Sequence, residues 1–222
     1  MSSRIASVHS EGKKEQVNEY MKKSFNFVVF LTIPMMGVII LVAKEFVPIF
    51  YGKGYEQVID LIKIISPILI LIGLSNVIGI QYLIPTKQQK KLTISVIFGS
   101  IINIILNYIL ILNYKAIGAS IATIVAEFTV TSIQLYLVRK ELSVKEMLKN
   151  SKNYIIVGII MFVTTLLISL IYLDNNITGI YNIIIKSSIA SIIYIGILVI
   201  IKDKIIIQIK ERILSKWKKK KN

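Results

Sequence analysis

Apolar residues occur in six long runs that are separated by short polar segments. The runs cover 24–43, 61–84, 92–113, 116–138, 153–173 and 181–201. Each contains about 20 residues or more, which in a helix rising about 1.5 Å per residue is enough to cross a hydrocarbon core of roughly 30 Å. The pattern predicts an all-α membrane protein with six transmembrane helices.

Basic residues are distributed unevenly among the segments that flank these runs. Of the 27 Lys and Arg residues, 22 lie in 1–23, 85–91, 139–152 and 202–222. Basic loops next to membrane spans remain on the cytoplasmic side. The distribution predicts a multi-pass protein of the cytoplasmic membrane with both termini in the cytoplasm. It also accounts for the net charge of +15 without nucleic acid as a partner.

The chain divides into three regions by composition. Residues 1–23 are expected to form a charged cytoplasmic linker or amphipathic arm, and 24–201 the six-span membrane lobe. Residues 202–222 form a basic amphipathic tail that is expected to rest on anionic lipid head groups. The outer segment 44–60 is rich in aromatic residues, which favour the head-group level of a bilayer. Pro48 is expected to break the helix there.

Polar side chains inside the spans are the candidate functional residues, because they are costly in hydrocarbon. Glu127 lies in the middle of the fourth span, with Thr123 and Thr131 one turn away on the same face. This polar stripe either lines an aqueous path or forms hydrogen bonds to a neighbouring helix. Asn103 and Asn107 share a face of the third span, where bonding between helices is the alternative to solute contact. The predicted cavity-lining residues are Glu127, Asn76, Asn103, Asn107, Thr123 and Gln81.

The last two spans, 153–173 and 181–201, have few polar residues and no charge at mid-depth. They are therefore expected at the periphery, facing lipid more than a cavity. In the fourth span, Gly118, Ala122 and Ala126 form a ridge of small residues. Such a ridge lets two helix backbones approach closely, so it predicts a packing surface.

The sequence has no signature of an enzyme. It contains no cysteine and one histidine, and it lacks a glycine-rich phosphate loop, a cluster of metal ligands and a nucleophile elbow. No catalytic residue, metal site or cofactor is expected. The outer loops are too short for a catalytic domain, which argues against a membrane-bound sugar polymerase or glycosyltransferase.

The stretch 4–134 resembles the second half of polysaccharide-biosynthesis membrane proteins, the O-antigen-type flippases of lipid-linked oligosaccharides. These belong to the MOP exporter superfamily, with the MATE transporters and the lipid II flippases. The resemblance is carried, in order, by SSRIASVHSEGKKEQVNEYMKKSF, TIPMMG at 32–37, PIFYGKGY at 48–55, SPILILIGLSNVIGIQYLIPTKQQKK at 66–91, FGSIINIILNYILI at 98–111 and AIGASIATIVAEF at 116–128.

The resemblance implies one six-helix lobe of a MATE-like, two-lobe transporter that works by alternating access around a central cavity. Its implied partners are a lipid-linked oligosaccharide substrate and membrane lipids. A further implied partner is the missing N-terminal lobe or a second half-transporter, and the chain is expected to be a partial one. The alternatives are the lobe of a MATE-like multidrug exporter, which the PIFYGKGY and QYLIP segments disfavour, and a noncatalytic membrane assembly subunit.

Overall fold

The computed structural model describes residues 2–173, 177 and 179–221, without the side chains of 212–214 and 216–221. Its helices are α1 Ser2–Ser10, α2 Lys14–Phe50, α3 Gln57–Ile65, α4 Ile68–Ile78, α5 Gln89–Val138, α6 Val144–Ile168, α7 Ile180–Ile200 and α8 Lys204–Lys221, with π-helical turns at Gly79–Leu83 and Ser169–Leu173. The described residues contain no strand. The all-α membrane fold is therefore confirmed, and five helical stretches are long and apolar enough to span a membrane.

The long helix α5 reverses direction near its middle. The backbone of Lys115 has φ 48° and ψ −126°, which is not helical. A β-carbon on Gly118 would lie 2.3 Å from the carbonyl oxygen of Leu110, and one on Gly99 would lie 2.3 Å from Val130 Cγ2. The two halves of α5 therefore pack against each other as an antiparallel hairpin. The predicted spans 92–113 and 116–138 lie on these two halves.

Helices α2 and α6 lie side by side and run parallel to each other. Asn18 bonds to Ser143 and Asn26 bonds to Ser151, each pair being 125 residues apart in sequence. Further along, the rings of Phe30 and Tyr154 are 5.8 Å apart, which continues the same register. Parallel α2 and α6 require an odd number of crossings between them. The α3–α4 segment crosses once, so α5 must cross twice, which supports six crossings in all.

Helix α2 is the centre of the bundle, and it contacts α4, α6 and α7 along its length. Helices α6 and α7 pack on α2 and bury core residues such as Met161 and Leu198. Large apolar side chains on their other faces are exposed. The expectation that the last two spans face lipid more than a cavity stays a prediction. Small residues allow this close packing: a β-carbon on Gly158 would lie 2.1 Å from Ile33 Cγ2.

Two prolines affect their helices differently, and the expectation that Pro48 breaks the helix was wrong. Pro48 does not break α2, which continues to Phe50. A proline near a helix end removes few backbone bonds, and Tyr51 N–H still donates to the Val47 carbonyl at 2.8 Å. Pro67 instead lies in the interruption between α3 and α4. The second span is therefore formed by two short helices.

The bundle has two ends, which are named here by their loops. The basic end carries 11–13, 84–88, 139–143 and 201–203, and the far end carries 51–56, 115 and 179. Within the predicted arm, residues 2–23 form α1, the loop 11–13 and the first part of α2, which continues without a break into the first span. Within the tail, Lys204–Lys221 form α8. The predicted outer loop at 174–176 and 178 lies outside the described residues.

Candidate functional site

The central helix α2 leaves one stripe of large side chains uncovered. Phe27, Leu31 and Met35 recur every four residues and are exposed along this stripe. The neighbouring α4 and its π-helical turn expose a second stripe, which consists of Ile72, Asn76 and Ile80. The two stripes together are called the open face.

Both stripes lie on the same side of the contact between α2 and α4. The helices meet at Gly73, where a β-carbon would lie 2.7 Å from Val28 Cγ1. Residues on the other side of this contact, including Val29 and Leu74, belong to the buried core. The open face is therefore one continuous surface along the two helices.

Asn76 is the polar side chain of the open face. It was predicted to line a cavity, and its side chain is exposed in the described structure. An amide that faces hydrocarbon without a partner is costly, since it can donate and accept several hydrogen bonds. Its position suits contact with water, a polar ligand or another protein surface better than contact with lipid tails.

Glu127 lies on the face of α5 that packs against α4. Four residues later on this face, Thr131 is buried and donates to the Leu71 carbonyl oxygen at 3.0 Å. The Thr131 hydroxyl therefore serves the contact between the two helices. Glu127 itself is half-buried, and among the described residues it has no hydrogen bond or ion pair. Thr123 on the same face donates to the Ala119 carbonyl of its own helix at 2.9 Å.

The structure does not bring Asn76 and Glu127 together. The bond between Thr131 and Leu71 fixes the relative height of the two parallel segments. Asn76 follows Leu71 by five residues towards the basic end, while Glu127 precedes Thr131 by four towards the far end. At a rise of about 1.5 Å per residue, the backbones of Asn76 and Glu127 are about 13 Å apart along the bundle axis.

The other predicted site residues lie in different environments. Asn107 donates to Asn103 Oδ1 at 2.9 Å, so the two amides bond within one helix and not between helices. Gln81 is half-buried in the π-helical turn Gly79–Leu83. Its side-chain oxygen is buried and has no partner within the described part of the chain.

A polar cluster at the basic end escaped the sequence analysis. Tyr82 and Gln88 each donate to Glu141 Oε2 at 2.7 Å, and Lys91 pairs with Glu141 Oε1. Burial favours the neutral carboxyl, but hydrogen bonds from Lys91, Gln88 and Tyr82 outweigh it and hold the pKa of Glu141 below its usual value. The cluster fastens the loop after α5 to the segment between α4 and α5.

A cavity of about 290 Å³ lies beside this cluster. Its lining includes His9, Lys14, Gln88 and Lys140 as well as Glu141. The described residues contain no group of three or more His, Asp or Glu that could hold a metal ion.

A second feature that the sequence analysis missed is a buried ion pair. Lys186 Nζ of α7 lies 2.7 Å from Glu45 Oε1 of α2, and both side chains are buried. Lys186 lies only five residues into the predicted span 181–201. A lysine inside an apolar run was the signal that could have predicted a buried partner.

Comparisons with known proteins find a matching family model, a relative and a structural neighbour. Residues 2–187 match the family model described as "Lipid II flippase MurJ". The chain is 33% identical over 119 residues to the "Putative O-antigen transporter" of Escherichia coli (strain K12). The aligned stretch covers 54% of this chain and 29% of that relative. The solved structure of "Lipid II flippase MurJ, inward closed conformation" superposes with a TM-score of 0.73 and 23% identity, over 92% of this chain and 43% of that one. The chain thus spans less than half of each of these relatives, and the structural likeness shows the fold.

Proposed function

Because the chain belongs to the lipid II flippase MurJ family, we propose that it forms one lobe of a transporter that flips lipid-linked oligosaccharide repeat units across the cytoplasmic membrane. The membrane lobe would work by alternating access, in which two lobes rock about a central substrate site. The basic end faces the cytoplasm in this proposal, since basic loops stay on that side.

The observation that carries this proposal is the open face. A sugar diphosphate cannot cross hydrocarbon unaided, because its charges and hydroxyl groups would lose their hydration. A surface on the central helix pair that combines apolar side chains with the amide of Asn76 offers one wall of a path for such a head group. The lipid tail can stay in the bilayer beside it.

The opposite wall belongs to a second lobe in this proposal. The chain covers 43% of the solved flippase that it resembles, which leaves room in such a protein for another lobe of similar size. That lobe is either an N-terminal segment or a second half-transporter. Flipping requires no bond to be made or broken, so the proposal assigns no catalytic residue and no cofactor to this chain.

The proposed substrate class is an O-antigen-type repeat unit on a polyprenyl carrier. The 33% identity to a protein named as a putative O-antigen transporter supports this class. The alternative within the same family is the peptidoglycan precursor lipid II, which the family description names. The two substrates share a lipid diphosphate and differ in the attached sugars.

Depletion of the gene in the organism that encodes it separates these substrates. Lipid-linked sugars are extracted from the cells and measured by mass spectrometry. We expect a repeat-unit intermediate to accumulate, surface polysaccharide to fall and lipid II to stay unchanged. Accumulation of lipid II with cell lysis would assign the chain to peptidoglycan synthesis instead. No change in either lipid-linked pool would overturn the flippase proposal.

A further inference from the structure

Four aromatic rings form a continuous chain at the far end of the bundle. Phe46 stacks on Phe50 with ring centroids 5.3 Å apart, Phe50 lies 5.0 Å from Tyr51, and Tyr51 lies 5.9 Å from Tyr55. All four side chains are exposed, by 38 to 69%. These four residues are called the aromatic strip.

The aromatic strip continues the open face towards the far end. On α2, the exposed stripe of Leu31 and Met35 points to the same side as Phe46 and Phe50, because Phe46 follows Met35 by eleven residues, which is about three full helical turns. The chain then turns at Gly52 and Gly54, which have φ of 86° and 94°. This turn carries the tyrosine rings beyond the end of the helix.

Polar groups lie next to the rings. Gly54 N–H donates to Glu56 Oε1 at 3.2 Å, which holds that carboxylate beside Tyr55. Lys53 lies in the same turn and is exposed. Hydroxyl groups of the two tyrosines add further donors and acceptors.

We propose that the aromatic strip is a carbohydrate-binding surface that receives the sugar rings of the transported head group at the far end of the open face. The proposal rests on the flippase function proposed above. A pyranose has apolar C–H faces that pack on an aromatic ring, and hydroxyl groups at its edge that bond to carboxylates and phenols. A ring face that its neighbours leave open can take a sugar, and Glu56 can accept hydrogen bonds from the hydroxyl groups of that sugar.

The competing interpretation is an aromatic belt that anchors the protein at the lipid head groups. The position of the strip favours sugar binding, because it extends the surface that carries the exposed amide of Asn76. Tyr114 provides a comparison, since it is 59% exposed and lies at the same end, beside the reversal at Lys115.

Saturation-transfer NMR on the full chain in nanodiscs tests sugar binding directly, with chitotetraose as the probe. We expect transfer to the axial H1, H3 and H5 protons of the sugar, which share one face of the ring. The double substitution of Phe50→Ala and Tyr51→Ala should weaken binding about tenfold or more. Tyr114→Ala is the matched control and should leave it unchanged. Absence of transfer, or equal transfer in the double variant, would overturn the proposal.

Fluorescence quenching by lipids with brominated acyl chains tests the belt interpretation. The background substitution Trp217→Phe removes the single tryptophan, and Tyr51→Trp then reports on the strip. Tyr108→Trp is the lipid-exposed control, since Tyr108 is 76% exposed on the first half of α5. Weak quenching at position 51 and strong quenching at 108 are expected, while equal quenching would identify the strip as a lipid anchor. Neither experiment measures transport, so failure of the flippase proposal would appear separately in the gene-depletion assay.

Discussion

Lys186 Nζ lies 2.7 Å from Glu45 Oε1, which places an ammonium of α7 against a carboxylate of α2 inside the bundle. The side chains are only 3% and 10% exposed. Two charges removed from water are tolerated when they compensate each other, and each then depends on the other. The pair therefore ties the sixth span to the central helix at a fixed position.

Lys186→Met is expected to destabilise the fold by about 3–5 kcal/mol, because Glu45 would keep a buried carboxylate without its compensating charge. Replacing both residues, as Glu45→Met with Lys186→Met, should recover most of this loss. The measurement is reversible unfolding in mixed micelles with increasing SDS. A double variant that is no more stable than Lys186→Met would show that the two charges do not depend on each other.

The control for this prediction is the surface pair of Lys13 and Glu11, whose side chains are about half exposed. Glu11→Gln should leave the free energy of unfolding nearly unchanged, since exposed pairs contribute little.

The cluster around Glu141 predicts a pH dependence of stability. The pKa of this carboxyl is lower in the folded protein than its ordinary value of 4.5. Glu141 therefore stabilises the fold above pH 4.5, and this stabilisation is lost as the pH falls through the folded-state pKa. Thermal unfolding of the wild type and of Glu141→Gln should differ at pH 7 and converge at lower pH. A difference that stays constant from pH 7 to pH 3 would contradict the assignment.

In the hairpin of α5, one glycine is expected not to tolerate a larger side chain. Gly118→Ala would put a methyl group 2.3 Å from the Leu110 carbonyl oxygen, so the two halves of the helix must separate. A loss of about 1–3 kcal/mol is expected, as for overpacked cores. Gly196 has open space where its β-carbon would lie, so Gly196→Ala should be neutral or slightly stabilising. Equal effects of the two substitutions would argue against close packing in the hairpin.

The number of crossings can be measured with single cysteines, because the sequence contains none. Lys53, Lys115, Lys87 and Lys140 are all exposed in loops or at the reversal. In spheroplasts, a membrane-impermeant maleimide should label Lys53→Cys and Lys115→Cys directly. It should label Lys87→Cys and Lys140→Cys only after permeabilisation. If Lys115→Cys is inaccessible from both sides, α5 crosses once and the six-span topology fails.

Glu127 and Asn76 are the strongest predicted cavity residues, and they lie at different heights of the bundle. In the complete transporter, Asn76→Leu should reduce surface polysaccharide strongly, because it removes the polar group of the open face. Glu127→Gln tests whether an ionisable group is needed at position 127. We expect this variant to produce less surface polysaccharide. Thr129→Val is the control, since that hydroxyl donates to the Val125 carbonyl of its own helix. Normal surface polysaccharide at equal protein level in the Glu127→Gln variant would show that transport does not require an ionisable group at this position.

The fold class was predictable because the lipid bilayer imposes a simple rule on sequence. Every backbone polar group must be bonded within a helix, and each helix needs about 20 apolar residues. The reversal at Lys115 lies between the two predicted spans 92–113 and 116–138. The positions at which helices are interrupted were less predictable. Helix α2 continues through Pro48, while the second span is interrupted at Pro67.

The hydrogen-bond and ion-pair partners of individual polar side chains could not be predicted from the sequence. Three of the closest polar contacts join residues that are 53 to 141 positions apart, namely Gln88 with Glu141, Tyr82 with Glu141, and Lys186 with Glu45. Nothing in local spacing indicates which distant group a buried side chain will meet. The central position of α2 was equally hidden, because the apolar runs look alike in hydropathy.

The sequence by itself determined that this chain spans a membrane as helices and which loops are basic, since both depend on composition along the chain. The tertiary structure decided which helix faces are covered. It placed the last two spans against α2 and left Phe27, Leu31 and Asn76 uncovered. Coverage depends on the packing of distant segments, and small residues such as Gly73 and Gly158 set that packing by allowing two helices to meet.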